Sequence, residues 1–307
     1  MLKPKTKTLA LTASIAVCAS NLLAAEPESP SVSTPVPTDT TAQMGTASGW
    51  MFQASGDYFH YDLKWDFGPG YYNYKETGDQ YGGTVYLKFP FMQVDDWVEL
   101  SYHHGRFTGN GTRPDGHAYT DVVDTDQAIL QYRRGIWKDR PQDPMFKLDL
   151  LAGVSWDTDN NSYGVPANGN STDHMRDNTY LFNAGLSVSW YAWTKRSEDA
   201  SKRFRVGLRA EGLGEVGATL EDETISGTGF ATVANEYKPW LTWGVDGKGL
   251  VFADYKMGNV SFVLEGGWQF RELWYDYTRN SGGPSYSSTE SRQAYGPYVR
   301  AGIGIAL

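Results

Sequence analysis

The sequence is poor in the groups that mark many functional classes. Its one cysteine, Cys18, falls within the first 25 residues. A chain processed there would carry no thiol, which excludes a disulfide framework and a cysteine metal site. No stretch offers the ~18 successive apolar residues of a membrane-crossing helix. Five histidines are present, none in a His-Glu-x-x-His pattern. A Gly-x-Ser-x-Gly elbow, a phosphate-binding P-loop and a dinucleotide fingerprint are missing too. Asp157-Thr158-Asp159-Asn160-Asn161 opens like a calcium loop, but Ser162 stands where the turn glycine is needed and Asn168 where the closing glutamate is. No cofactor and no metal is expected.

What is present begins with a leader. Met1 to Lys7 is basic, the run from Thr8 to Ala25 is apolar and uncharged, and Glu26 starts an acidic chain. That order describes a secretory signal peptide over residues 1–25, cut after Ala24 or Ala25. Lipidation at Cys18 is the alternative, against which Val17 is large for the residue before a lipidated cysteine. Loss of the three leader lysines would move the net charge from −9 to −12, which argues against nucleic acid as a partner. Residues 26–48 are rich in Pro, Ser and Thr without apolar periodicity, and read as a disordered periplasmic linker.

From residue 49 to 307 the pattern changes to period two. It is cleanest in Phe146, Leu148, Leu150, Ala152, Val154 and Trp156, which alternate with Lys147, Asp149, Gly153, Ser155 and Asp157. About ten such runs occur, with long polar connections (107–122, 158–177, 218–236 and 278–291 among them) alternating with short turns. The stretch Asp246-Gly247-Lys248-Gly249 reads as an irregularity within one run. At the end of the chain Val299, Ala301, Ile303, Ile305 and Leu307 share one face of a strand. This stretch resembles the terminal strand of Gram-negative outer-membrane β-barrels, with Leu307 where an aromatic is usual. The fold class expected is all-β: a closed antiparallel transmembrane β-barrel of about ten strands, located in the cell outer membrane. Alternation reconciles a mean hydropathy of −0.49 with a membrane, because only every second residue meets lipid. Trp65, Tyr71, Tyr72, Trp97, Trp156, Trp190, Tyr191, Trp193, Trp240, Trp274 and Tyr275 lie near run ends, where aromatic girdles are expected.

The opposite phase defines a candidate lumen lining: Lys88, Glu99, Arg133, Asp149, Arg205, Arg209, Glu211, Glu265, Arg271 and Arg300. Such a set can make a channel for small anionic solutes or a salt-bridged plug; a barrel of this size has a lumen side chains can fill. In strand number and long outer connections the chain also resembles the omptin family of outer-membrane proteases, which implies Asp pairs and an Asp–His pair activating water at the outer mouth. Asp157, Asp159 and His103 are the residues that could carry this, with Glu211 and Glu215 nearby. Asp124 and Asp126 have a suitable spacing in the lipid-facing phase. The match fails in 218–236, which holds Glu221-Asp222-Glu223 and no histidine where the family has Asp-x-His. The expected function is a porin-like or structural surface barrel, with an omptin-like protease or an adhesin acting through its outer loops as alternatives. Expected partners are outer-membrane lipid, lipopolysaccharide, the barrel-assembly machinery and small solutes.

Overall fold

A computed structural model describes residues 50–66, 73–89, 96–112, 118–140, 143–165, 171–198, 201–227, 230–236, 240–279 and 286–307. The expected signal peptide and linker lie outside the described residues. Those described form strands and turns, with no helix among them. The strands are β1 (Met51–Asp66), β2 (Asn73–Lys88), β3 (Trp97–Thr112), β4 (Ala118–Lys138), β5 (Phe146–Val165), β6 (Ser171–Arg196), β7 (Lys202–Gly227), β8 (Phe230–Glu236), β9 (Trp240–Met257), β10 (Val260–Arg279) and β11 (Tyr286–Ala306).

Ten of these close into a ring. Each strand pairs antiparallel with its neighbours, β6 joins β7, and β11 pairs with β1 from Met51↔Ala306 to Asp66↔Ser291. The short β8 is outside the ring; it extends the outer end of β7, pairing Asp222↔Glu236 and Gly227↔Phe230. Following one hydrogen-bonded row from Phe52 through Leu87, Val98, Tyr132, Ala152, Ala184, Gly214, Val245, Glu272 and Gln293 returns to β1 at Lys64. The stagger is therefore twelve residues per circuit, which with ordinary strand spacing tilts the strands by about 40°. Both termini of the ring lie at one end, as do the turn residues Asp139, Met145, Ser197, Ser201 and Gly258-Asn259. The tightest is Gly258-Asn259, where Gly258 has φ +58°, a conformation that costs a side-chain-bearing residue and suits a two-residue hairpin.

Outward positions form an apolar belt, as the closing-strand residues Val299, Ile303 and Ile305 illustrate by their exposure. Several details depart from the sequence reading. The described residues of 107–122, 158–177, 218–236 and 278–291 are strand rather than loop. Above the belt the outer face meets water, so apolar alternation vanishes while the backbone ladder continues to satisfy its polar groups. The stretch Asp246–Gly249 is regular, with unbroken register to β7 and β10. Glycines remove side chains without interrupting the ladder; the register shifts fall instead at Gly135/Trp137, Tyr191/Trp193 and Ile225/Gly227. Trp65, Tyr191, Trp240 and Tyr275 are not at a girdle but buried inside the barrel. On the outer half of β1 the phase of the apolar residues inverts: Phe59, Tyr61, Leu63 and Trp65 point inward and His60 and Lys64 outward. Phe59, Tyr61 and Leu63 join Phe107, Val123 and Tyr298 in one internal cluster and Trp65 joins Leu273 and Tyr275 in another, because above the belt the barrel has its greasy side within.

Candidate functional site in the lumen

Inward side chains of neighbouring strands sit one above another. A ring only ten strands wide brings them within reach across the interior. Three tiers of ion pairs result.

The tier within the belt centres on three arginines. Arg300 of β11 donates from Nε to Asp57 Oδ1 of β1 at 2.7 Å and lies 3.8 Å from Glu99 and 3.7 Å from Glu265. It also bonds the Tyr86 hydroxyl. Arg133 reaches Glu211 at 2.6 Å and Asp149 at 3.4 Å, and Lys147 holds the other Asp149 oxygen at 2.9 Å. Arg209 pairs with Glu265 at 2.9 Å and covers the Phe252 ring. Below them Arg205 clasps Asp254 at 2.9 Å against the ring of Tyr191, and Lys88, largely buried, lies over Trp97.

The next tier spans the interior. Arg271 of β10 bonds Glu215 of β7 at 2.8 Å and Asp157 of β5 at 2.7 Å. Gln269 donates to Asp246 at 3.0 Å and accepts from Tyr61 at 2.8 Å. Above the belt Arg292 of β11 bonds Asp159 of β5, which is half a circuit away, and stacks over Trp65. Between the two braces remains a cavity of about 50 Å³ lined by Tyr61, Gln80, Thr125, Asp159, Arg271 and Arg292. That is room for a few waters, not for an organic solute.

At the outermost level Glu76 of β2 and Asp121 of β4 flank Gly109 of β3, which is in register with Asp121. A Cβ on Gly109 would lie 3.0 Å from Glu76 Cγ, so the two carboxyl groups face each other over the position it leaves bare. Glu76 is 1% and Asp121 0% exposed. Burial, and next the Asp121 carboxyl, pushes Glu76 up to about 9; burial also raises Asp121.

Nine of the ten residues named for the lumen are thus brought into one stack of charge pairs, with Lys88 beside it over Trp97. The three named for catalysis are not brought together. His103 is 3% exposed, with Nε2 3.0 Å from Asp57 Oδ2 and its ring edge against Phe59. Asp157 is held by Arg271 and by Gln127 at 2.8 Å, and Asp159 by Arg292. Among the described residues no histidine faces either aspartate across open space where a water could be activated. Asp126, on the outer wall, bonds Tyr102 and His104, and Asp124 lies near Arg106. The run Asp157 to Asn161 lies within β5 and alternates between the two faces. Sequence reasoning missed Asp57, Asp254 and Arg292; Arg292 has the parity of Arg300 along β11, which would have found it had the strand been extended that far.

No protein-family model matches the sequence, and no curated protein matches it. Solved structures do resemble the fold. The outer membrane protease OmpT from Escherichia coli matches with 11% identity over 85% of this chain and 98% of its own, at a TM-score of 0.47. The transport unit of the autotransporter AIDA-I, also from Escherichia coli, matches with 12% identity over 94% and 96%, at 0.39. The translocator domain of the autotransporter NalP from Neisseria meningitidis matches with 12% identity over 100% of both chains, at 0.35. Likenesses this distant bear on no activity or substrate of this chain.

Proposed function

We propose that the chain is an outer-membrane barrel with a closed lumen, serving as a non-conducting structural surface barrel rather than a porin or a protease. The pair of transverse braces, Arg271 to Asp157 and Glu215 and Arg292 to Asp159, carries this reading. Fixed opposite charges cross the interior, and a solute passing through would have to break pairs that are mutually desolvated. The exposed apolar belt supports placement in a bilayer, where a closed ring leaves no backbone group unpaired at an edge. The chain holds up, on this rigid base, the ladders of β6 and β7, which are 26 residues each and rise well above the belt.

Two measurements test it. The protein should stay with the outer-membrane fraction through a urea wash and shift in electrophoretic mobility between unheated and boiled SDS samples. In planar bilayers the purified barrel should pass no steady current, and Arg271→Ala combined with Arg292→Ala should introduce one. Steady conductance of the unaltered protein would overturn the closed-lumen reading.

A further inference from the structure

The apolar belt is not the same height all round. On β1, β2 and β3 its upper edge is Tyr58, Tyr81 and Tyr102, above which His60, Asp79 and Arg106 face out. On the far wall it continues. Because a hydrogen-bonded row climbs with the stagger, positions of equal height must be read along a falling diagonal. By that measure Trp243 and Leu241 on β9 and Trp274 on β10 stand about 10–15 Å above the tyrosines. Trp243 and Trp274 stack with centroids 4.4 Å apart, and Leu241 is 55% exposed. Trp274 and Trp243 continue one row through Val216 on β7 to Phe182 on β6. The same wall also reaches at least as low, to Met257 on β9 and Phe262 on β10, as β3 and β4, where Asp96 and Arg134 take the outward phase, so a tilt of the barrel does not account for the difference.

Beneath this ridge the same wall is nearly flat. Ala210, Gly212, Gly214, Gly247, Gly249 and Gly266 all point outward, and Gly212 and Gly249 have nothing within 4 Å of where a side chain would begin. Ala210, Gly249 and Gly266 floor a groove of about 560 Å³ rimmed by Phe146, Trp190, Leu208 and Val251. From Ala210 to Leu220 on β7 and from Leu241 to Met257 on β9 no outward residue is charged.

We propose that the β6–β10 wall is the docking face for a second copy of this barrel. The inference rests on the membrane reading above and adds a partner to it. Lipid alone fits poorly, since thickening the bilayer costs a fraction of a kcal/mol for each Å of mismatch. The ridge would ask for about 10 Å of thickening along one wall, by the height estimate above. Small residues at mid-height let two walls approach closely, as they do between membrane segments generally. The wall also suits its own twofold image. The bare β7–β9 line would lie on the axis and face itself, while the bulky β10 edge (Trp268, Trp274) would meet the β6 edge (Phe182, Leu186) of the partner. The half-exposed large side chains of this wall offer on the order of 1,000 Å² per copy, above the ~800 Å² each partner gives to a standard interface.

The test is disulfide trapping in isolated outer membranes. Leu241→Cys should yield a dimer on non-reducing gels, and Arg106→Cys, at similar height on the opposite wall, should not. Gly249→Leu in the Leu241→Cys background should abolish the dimer band while the heat-dependent mobility shift of the monomer persists. Absence of a Leu241→Cys dimer, or equal trapping at both positions, would overturn the docking face while the mobility shift still reports a membrane barrel. Loss of the shift in the unaltered chain would instead overturn the membrane reading.

Discussion

Arg292 on β11 and Asp159 on β5 bond each other from positions half a circuit apart, five strands away in either direction around the ring. With Arg271 reaching from β10 to β5 and β7, it ties walls together that share no backbone hydrogen bond. The ring is therefore braced across as well as along its circumference, and both braces lie on the outer side of the arginine tier within the belt.

Removing Arg271 should be far more damaging than its weight suggests. Arg271→Ala leaves Asp157 and Glu215 buried without their cation, a change expected to cost about 3–5 kcal/mol. The urea midpoint of the barrel in detergent should fall accordingly. Arg271→Met combined with Asp157→Leu and Glu215→Leu should recover most of the loss, because no uncompensated charge remains.

The seam between first and last strands should show strong coupling. Asp57 accepts from Arg300 at 2.7 Å and from Thr84 at 2.5 Å, and lies 3.0 Å from His103. A double-mutant cycle of Asp57→Asn and Arg300→Met should give a coupling of about 1–3 kcal/mol in unfolding free energy. Additive effects would mean that the contact is idle.

The outer end should loosen as pH rises. Glu76 has a folded pKa raised to about 9 from an ordinary value near 4.5, so its stabilising contribution is complete below that ordinary value and is lost as pH climbs through about 9. Protease cleavage of the outer ends of β2, β3 and β4 should accelerate between neutral pH and about 9. Glu76→Gln should flatten that profile.

Gly109 should tolerate no side chain. A Cβ there would lie 2.8 Å from the Lys75 carbonyl oxygen as well as 3.0 Å from Glu76. Gly109→Val should cost about 1–3 kcal/mol through overpacking, read as a lower thermal midpoint. Gly56→Val, on the open outer face of β1, should leave that midpoint near its original value.

The legible part of this protein was whatever repeats with period two. Val299, Ala301, Ile303 and Ile305 on one face and Arg300 on the other are readable without a structure, because a strand has only two faces and only one of them can be greasy within a bilayer. Strand extensions past the belt were not legible: Arg292 and Asp159 lie where both faces are polar, so the pattern that announces a strand stops before the strand does. Trp65 and Tyr275 misled for the related reason that an aromatic near a strand end suits a girdle or an internal core equally well until the wall's height at that point is known.

Sequence by itself determined the class of structure: an all-β chain of about ten alternating runs, with a set of charges such as Arg133, Arg209 and Arg300 on the phase opposite the apolar one. Tertiary structure alone decided which charges meet. Partners such as Arg292 and Asp159, 133 residues apart in the chain, are set by the stagger of twelve residues per circuit, and that stagger is a property of the closed ring. Alternation says that a side chain points inward; only closure says what it finds there.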